Sequence, residues 1–350
     1  MICARAAELQ FDVVGFARAD EPLGQHKADF DAFIEGGMHG DMAYLEKHQA
    51  ARERLDGEAI LPGAKTVVCL ARRYDRGAEA EADDPPLTQR MARYARGRDY
   101  HGHLHKRVAT LARFVRGLRP GVVARALCDT APVLERAWAH RAGLGFIGKN
   151  GMLIVPGKGS YCLLGEVVTT LPLQPEAYAK PLSERCGSCT LCLDACPTEA
   201  FVRPFVLDPR RCVSYYTIES RSAAPAELHD KLGDDLFGCD VCQQVCPYNQ
   251  VAPPPVEATA PFEPLARWRD VSPARWLGVD DDEFLELTKS SPLRRATRAG
   301  MAQNVLLGAA QRLRQAGPKG DDDARSQLQQ GARHDDPSVR KLAEQLLGSV

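Results

Sequence analysis

The sequence predicts an α+β protein in three successive parts: a mixed strand-and-helix section over 1–180, a cysteine-organised segment over 181–255 and a helical section over 256–350. Three observations carry this expectation. Short β-branched runs alternate with helical periodicity in the first half, eight cysteines crowd between Cys186 and Cys246, and 3.6-residue apolar periodicity returns near the end. With 350 residues, 44% of them hydrophobic, the chain can fill two or three cores.

In the first part, Thr66-Val67-Val68-Cys69-Leu70, residues 122–127 and Glu166-Val167-Val168-Thr169-Thr170 read as strands, while 88–93 and 103–116 read as helices. The prolines of Val251-Ala252-Pro253-Pro254-Pro255, continued by Pro261 and Pro264, mark a stiff exit from the cysteine segment. Beyond it, Met301-Ala302-Gln303-Asn304-Val305-Leu306-Leu307 and Val339-Arg340-Lys341-Leu342-Ala343 are helical in period, and Asp335-Asp336-Pro337-Ser338 supplies a helix start. Two such helical hairpins resemble HEAT repeats.

Composition narrows the function classes. No stretch approaches the roughly 18 apolar residues of a membrane span, and the first twenty residues carry acids and arginines, so the expectation is a cytoplasmic protein with no membrane partner. A net charge of −1 gives no global attraction to nucleic acid, although residues 291–350 hold ten Lys/Arg against six Asp/Glu. In a reducing compartment, twelve cysteines point to metal or catalytic thiolates and not to disulfides.

Their spacing selects metal. Cys186-x2-Cys189-x2-Cys192-x3-Cys196-Pro197 is the bacterial ferredoxin run, in which three thiolates hold one 4Fe-4S cluster and the fourth reaches across to another. Cys239-x2-Cys242-x3-Cys246-Pro247 repeats the run with one ligand missing, and Cys212 lies upstream to supply it. The crossing rule assigns Cys186, Cys189, Cys192 and Cys246 to the first cluster and Cys196, Cys212, Cys239 and Cys242 to the second, within a ferredoxin-like domain. Four-cysteine zinc sites also use C-x2-C pairs, but they require neither the third cysteine nor the trailing Cys-Pro. Cys3, Cys69, Cys128 and Cys162 stand singly and read as core residues.

Two clusters form a wire, and a wire needs a terminus where bonds change. Gly143-Leu144-Gly145-Phe146-Ile147-Gly148 has the letters of a dinucleotide fingerprint, but a helical segment precedes it, which argues against nicotinamide.

At this point the sequence resembles the epoxyqueuosine reductases. The resemblance is carried by Gly37-Met38-His39-Gly40-Asp41-Met42-Ala43-Tyr44-Leu45, Leu61-Pro62-Gly63-Ala64-Lys65 and Arg93-Tyr94-Ala95-Arg96-Gly97-Arg98-Asp99-Tyr100-His101. Asp129-Thr130-Ala131-Pro132-Val133-Leu134-Glu135-Arg136, the run from Gly143 into Lys149-Asn150, and Gly238-Cys239-Asp240-Val241-Cys242-Gln243 complete it. It implies a base-off cobalamin in a nitroreductase-like α/β domain, two 4Fe-4S clusters in a ferredoxin-like domain, and a HEAT-like domain that helps hold the tRNA anticodon region. The implied reaction is reduction of the epoxide of epoxyqueuosine in tRNA to an alkene, with loss of water.

The resemblance makes Asp129 the proton donor, held protonated near neutral pH if a closed pocket raises its pKa. Without it, Asp129 before Thr-Ala-Pro would read as a helix N-cap. Arg54 resembles a family arginine beside the corrin, although Asp56-Gly57 stands where the family usually shows Asp-Pro. Lys149, Asn150, Ser160 and Glu166 are candidate cofactor-loop residues, and Ser214 and Asp240, beside cluster ligands, are candidates to face the corrin. Arg294, Arg295, Arg298 and Lys341 are candidate phosphate contacts, and Tyr215-Tyr216 a candidate stacking pair or core pair. An external low-potential electron donor is expected, and a monomer suffices. Two other readings are a cobalamin-dependent reductive dehalogenase, which typically carries an export signal and lacks the helical repeats, and a non-catalytic iron-sulfur electron carrier, which leaves the first half without a role.

Overall fold

The computed structural model describes residues 1–250 and 260–349; the proline run at 251–255 lies outside the described residues. Its first part is built on a four-stranded, wholly antiparallel sheet in the order Val13–Arg18, Thr66–Arg73, Cys162–Thr169, Ala124–Leu127. Register pairs Thr66 with Thr169 and Ala124 with Thr169, so those ends align, while Cys69 and Leu127 both lie opposite Glu166.

Each face of the sheet is covered. The helix Tyr100–Arg116 buries Leu104, Val108, Leu111, Ala112 and Val115, a 3.6-period stripe, against Val68, Leu70 and Val167. Asp99 caps its start by accepting from the His101 amide at 3.0 Å. On the other face the short helix Glu135–Arg141 sets the fully buried Trp138 against Val67, Cys69 and Val168. Truncating Leu111 or Trp138 to alanine would cost about 3–5 kcal/mol, because packed cores relax only partly around the cavity.

The cysteine segment has little regular structure: three four-residue helices, Leu191–Asp194, Val241–Gln244 and Pro247–Gln250, a hairpin of Phe201–Arg203 with Val206–Leu207, and a π-helical turn at Tyr215–Glu219. After it come the helices Asp281–Leu287, Arg298–Ala316, Asp322–Gly331 and Pro337–Leu347, the last capped by Asp336 as the sequence suggests.

One hydrophobic core runs through these parts without a break. Leu87 and Met91 of the first part, Leu236 and Phe237 of the cysteine segment and Trp268, Met301 and Leu342 beyond it form one cluster. Buried polar bonds reinforce the joint: Asn304 Nδ2 donates to the carbonyls of Thr217 and Leu236 at 2.9 Å each, and Trp268 Nε1 donates to the Arg96 carbonyl at 3.0 Å.

Two local expectations change. Residues 88–93 are not one helix; a turn at Pro86–Gln89 gives way to an extended bridge between Met91 and Phe237, because pairing with a distant segment overrides local propensity. Cys3 is exposed, whereas Cys69 and Cys128 are buried.

Candidate functional site

Asp129 follows the strand Ala124–Leu127 in a loop and adopts a left-handed backbone, φ 58°. It is not a helix cap, since the next helix begins at Glu135 after Leu134. A non-glycine residue here costs energy and needs fixing from outside. Its amide donates to Glu135 Oε1 at 2.6 Å, and its Oδ2 accepts from Tyr100 Oη at 3.1 Å and from His101 Nε2 at 2.5 Å. His101 Nδ1 meets Asp99 Oδ1 at 2.6 Å, and the rings of Tyr100 and His101 stack at 4.2 Å. The first turn of one helix thus presents an imidazole gripped between two carboxylates.

The protonation pattern corrects the expectation for Asp129. The hydrogen bond from His101 holds its carboxyl below the usual range, against the upward pull of burial. His101 is pushed up to about 10 by its hydrogen bonds to Asp129 and Asp99. The pair therefore carries one proton through neutral pH, resting mainly on the imidazole. The Asp129 side chain is 48% exposed, so it stands in a walled but open cleft and not in a closed, dry pocket.

Behind Asp129 the electrostatics reverse. Glu166 projects from the middle of the sheet, fully buried, with the carboxyl of Glu135 as its side-chain hydrogen-bond partner. Burial and the nearby Glu135 charge drive its pKa well up, and burial lifts Glu135 to about 7.

The cleft draws on all three parts of the chain. Arg295, from the helical section, lies over the Tyr44 ring at 5.4 Å, binds Glu219 at 2.7 Å and acts electrostatically on Asp129. Gly40, at φ 54°, lets the Gly37–Leu45 motif approach Tyr215 so closely that a Cβ would strike the phenol oxygen, and the Asp41 amide donates to that oxygen at 2.8 Å.

The structure places the other predicted residues as follows. Lys149 Nζ donates to the carbonyls of Gly187 and Cys189 at 2.6 and 3.0 Å, and buried Asn150 donates to the Cys242 carbonyl at 3.2 Å. Ser160 bonds Gln243 and Asn249 at 3.0 Å each. All three tie the first part to the cysteine segment. Asp240 is buried and accepts from the Arg93 amide at 2.7 Å, whereas the Ser214 hydroxyl makes a long bond, 3.5 Å, to the Cys239 carbonyl and also reaches the Cys212 thiol. Arg54 is exposed and paired with Asp56 at 2.8 Å, within electrostatic range of Asp20. Asp20 follows the first strand at the end where Thr66 begins the second, whereas Asp129 follows the opposite end of its own strand.

Of the phosphate candidates, Arg298 is held by Asp281 and Asp335 at 2.8 Å each, and Arg294 donates to the Leu285 carbonyl. Lys341 is exposed. Tyr215 and Tyr216 pack edge to face at 5.2 Å with both hydroxyls bonded, so they act as a core pair.

The eight cysteines separate into two neighbourhoods. Cys186 lies in electrostatic range of Cys192, Cys192 of Cys189 and Cys246, and Cys246 of Cys189. Cys212 is in range of Cys196, Cys239 of Cys212 and Cys242, and Cys242 of Cys196, Cys212 and also Cys192. Members of each group expected from spacing thus lie near one another, and the two groups adjoin where Cys242 meets Cys192. Every thiol is free, and no three His, Cys, Asp or Glu among the described residues converge on a single-ion position. A four-iron cube instead holds its thiolates apart at its corners, which suits this donor set.

Asp99, Tyr100 and His101 escaped the sequence reading as site residues. They lie within a quoted motif, but their role depends on Asp129, which reaches them only in the folded chain. A concavity of about 610 Å³ is lined by Leu277, Arg298 and His334, and by none of the residues around Asp129.

Comparison with known proteins agrees with this geometry. The family model of the 4Fe-4S double cluster binding domain matches residues 185–249, and that of the epoxyqueuosine reductase QueG, DUF1730, matches residues 54–130. An epoxyqueuosine reductase of Pseudomonas aeruginosa is 40% identical over 303 residues, covering 86% of this chain and 82% of its own. The crystal structure of an epoxyqueuosine reductase with an epoxyqueuosine-modified tRNA-Tyr stem loop superposes with a TM-score of 0.85 at 29% identity, covering 99% of this chain and 88% of that one. The Bacillus subtilis epoxyqueuosine reductase, with its aspartate catalytic loop swung out of the active site, gives 0.84 at 28% identity and the same coverage.

Proposed function

The chain belongs to the epoxyqueuosine reductase family, and on that premise we propose that it reduces the epoxide of epoxyqueuosine at the tRNA wobble position to the alkene of queuosine, with Asp129 delivering the proton. It is an oxidoreductase with a double 4Fe-4S domain. The observation that carries the proton assignment is the Asp99–His101–Asp129 array at the mouth of the cleft.

The overall change consumes two electrons and two protons: both carbon–oxygen bonds of the epoxide break, the carbon–carbon double bond forms, and water leaves. Each cluster can pass one electron at a time. Asp129 draws a proton from His101 across their 2.5 Å bond and presents it to the departing oxygen, while Asp99 steadies the imidazole. Tyr100 orients the carboxylate, and solvent, reaching the half-exposed pair, reloads it.

Cobalamin is the proposed resident cofactor of the cleft. The partly exposed Ser214 and half-exposed Tyr44 hydroxyls fit a corrin rimmed by amides, which needs neutral donors and acceptors. Ser214 would hold its rim, the buried Asp240 and Glu166 would act from behind the first layer, Arg54 would meet an outlying amide or phosphate, and Lys149, Asn150 and Ser160 would fix the loop behind it. Once reduced, cobalamin supplies a low-potential nucleophile or electron donor to the epoxide carbon.

The tRNA-bound relative supports an anticodon stem loop as substrate carrier, with Arg294, Arg295 and Lys341 as contacts. Arg298, neutralised by two carboxylates, is the weakest of the four phosphate candidates. No helix among the described residues is long and apolar enough to cross a membrane. A cytoplasmic monomer fed by a low-potential donor completes the reading.

The test is anaerobic reconstitution with iron, sulfide and cobalamin, then a low-potential reductant and epoxyqueuosine-containing tRNA, with mass analysis of the nucleosides. Wild type should remove one oxygen, and Asp129→Asn should be slower by about 10²–10⁴-fold. An unchanged nucleoside from fully loaded wild type would overturn the assignment.

A further inference from the structure

Lys149 follows the hairpin strand Phe146–Ile147 and Gly148, and its ammonium and peptide N–H both turn to one loop of the cysteine segment. Its ammonium donates to the carbonyls of Gly187 and Cys189 at 2.6 and 3.0 Å, which brackets that loop between its first two cysteines. Its peptide N–H donates to the Cys186 thiol. Its carbonyl, in turn, accepts from the Phe205 amide at 2.9 Å, fixing the backbone that aims these groups. One residue therefore brings both a hydrogen-bond donor to a ligand sulfur and a positive charge to the same cluster site.

Hydrogen bonds to sulfur and net charge are two of the factors that set a 4Fe-4S reduction potential. Reduction adds one negative charge to the cluster, and a nearby cation stabilises the reduced form more than the oxidised one. No carboxylate forms an ion pair with Lys149 among the described residues, and the nearest acid of the loop, Glu184, is exposed and spends Oε1 on the amides of Cys186 and Gly187. Solvent screens Glu184 more than the half-buried ammonium.

We propose that Lys149 is a redox-positioning residue that raises the reduction potential of the cluster held by Cys186, Cys189, Cys192 and Cys246, and so makes it the better electron acceptor for an external donor. The proposal rests on that ligand grouping and is independent of the tRNA assignment. The neighbouring Asn150, which donates to the Cys242 carbonyl, reaches the other cluster site without a charge. Residues 149 and 150 thus treat the two clusters differently.

The experiment is an anaerobic redox titration of the reconstituted two-cluster protein, followed by EPR, with no tRNA or corrinoid present. Cys186→Ser identifies the signal of the first cluster. In Lys149→Gln, which can still donate hydrogen bonds but carries no charge, that signal should titrate at lower potential, while the second signal stays in place. Lys149→Arg should leave both near wild type. If Lys149→Gln loads iron and sulfide fully and neither signal moves, Lys149 is only a strap and the proposal fails; it also fails if both move equally. If Cys186→Ser perturbs both signals alike, the ligand grouping is wrong and the proposal falls with it.

Discussion

Two carboxyl groups flank Glu135, and they carry opposite protonation. Asp129, on the cleft side, is surrounded by donors and stays ionised although protein walls it in. Glu166, on the sheet side, is fully buried, shares a hydrogen bond with the Glu135 carboxyl and is held neutral chiefly by burial. Burial is the larger cause at Glu166 and the His101 hydrogen bond the larger cause at half-exposed Asp129, so the two sides of Glu135 settle the proton by different means. The acid of this site is accordingly a pair, with the proton stored on His101 and delivered through Asp129.

The largest expected effect outside Asp129 itself comes from breaking that pair. His101→Gln removes the stored proton and the main cause of the depressed Asp129 pKa, leaving burial to raise it. Activity at pH 7.5 should fall by about 10²-fold, in line with losing a general acid. The pH profile should shift as well. Wild type keeps its proton until the pH rises toward about 10, whereas the variant is loaded only when Asp129 itself is protonated, so its residual activity should rise on acidification. A variant with an unshifted profile would show that His101 does not store the proton.

A second, intermediate effect tests the sheet side. Glu166 is a fully buried carboxyl whose hydrogen bonding rests on the Glu135 carboxyl alone among the described residues, and an under-satisfied buried polar group costs about 1–3 kcal/mol. Glu166→Leu should stabilise the protein by that order in denaturant melts, and Glu166→Gln should be nearly neutral at pH 7. The sign of the pH dependence follows from the raised values. Between the unfolded carboxyl range and about 7, the native state binds more protons at Glu135 and Glu166 than the unfolded chain, so stability falls as pH rises through that window. Glu166→Leu should flatten this slope, and an unchanged slope would place the extra protons elsewhere. If Glu166 serves the cofactor, the stabilised variant should also lose corrinoid affinity.

This comparison also marks what the sequence could and could not tell. Candidate cluster ligands stand out in the sequence because their spacing is local, and in the fold members of each candidate group lie near one another, with Cys242 near Cys192 as well. The strands at Thr66 and Cys162 were legible from β-branched runs, but Val13–Arg18 was not, since Gly15 interrupts it. That glycine is needed because a Cβ would strike the Ala142 carbonyl, a contact between distant residues. Asp129 was identifiable only through resemblance, and its charge state was misjudged because His101 is 28 positions away. Lys149, Asn150 and Ser160 were read as cofactor-loop candidates, whereas their bonds to the cysteine segment depend on tertiary packing. The shared core likewise hides from a linear reading, as Met91, Phe237 and Met301 meet only in the folded chain.

The smallest expected effect is the most discriminating for the proton store. Asp99 has two duties: it caps the helix by accepting from the His101 amide and it binds the imidazole Nδ1. Asparagine caps a helix about as well as aspartate, so Asp99→Asn should leave stability nearly unchanged while removing one negative charge beside the ring. Asp129 still holds Nε2, and the pair should keep its proton at neutral pH. The loss of one charge-assisted hydrogen bond, about 1–1.5 kcal/mol, corresponds to roughly fivefold to tenfold in rate if felt in the transition state. Its clearest sign should be the alkaline limb of the activity profile. Two carboxylates hold His101 near 10, so with one gone the limb should move to lower pH, between wild type and His101→Gln. A limb that stays in place would mean that Asp99 serves only the helix and that Asp129 alone sets the proton affinity of the imidazole.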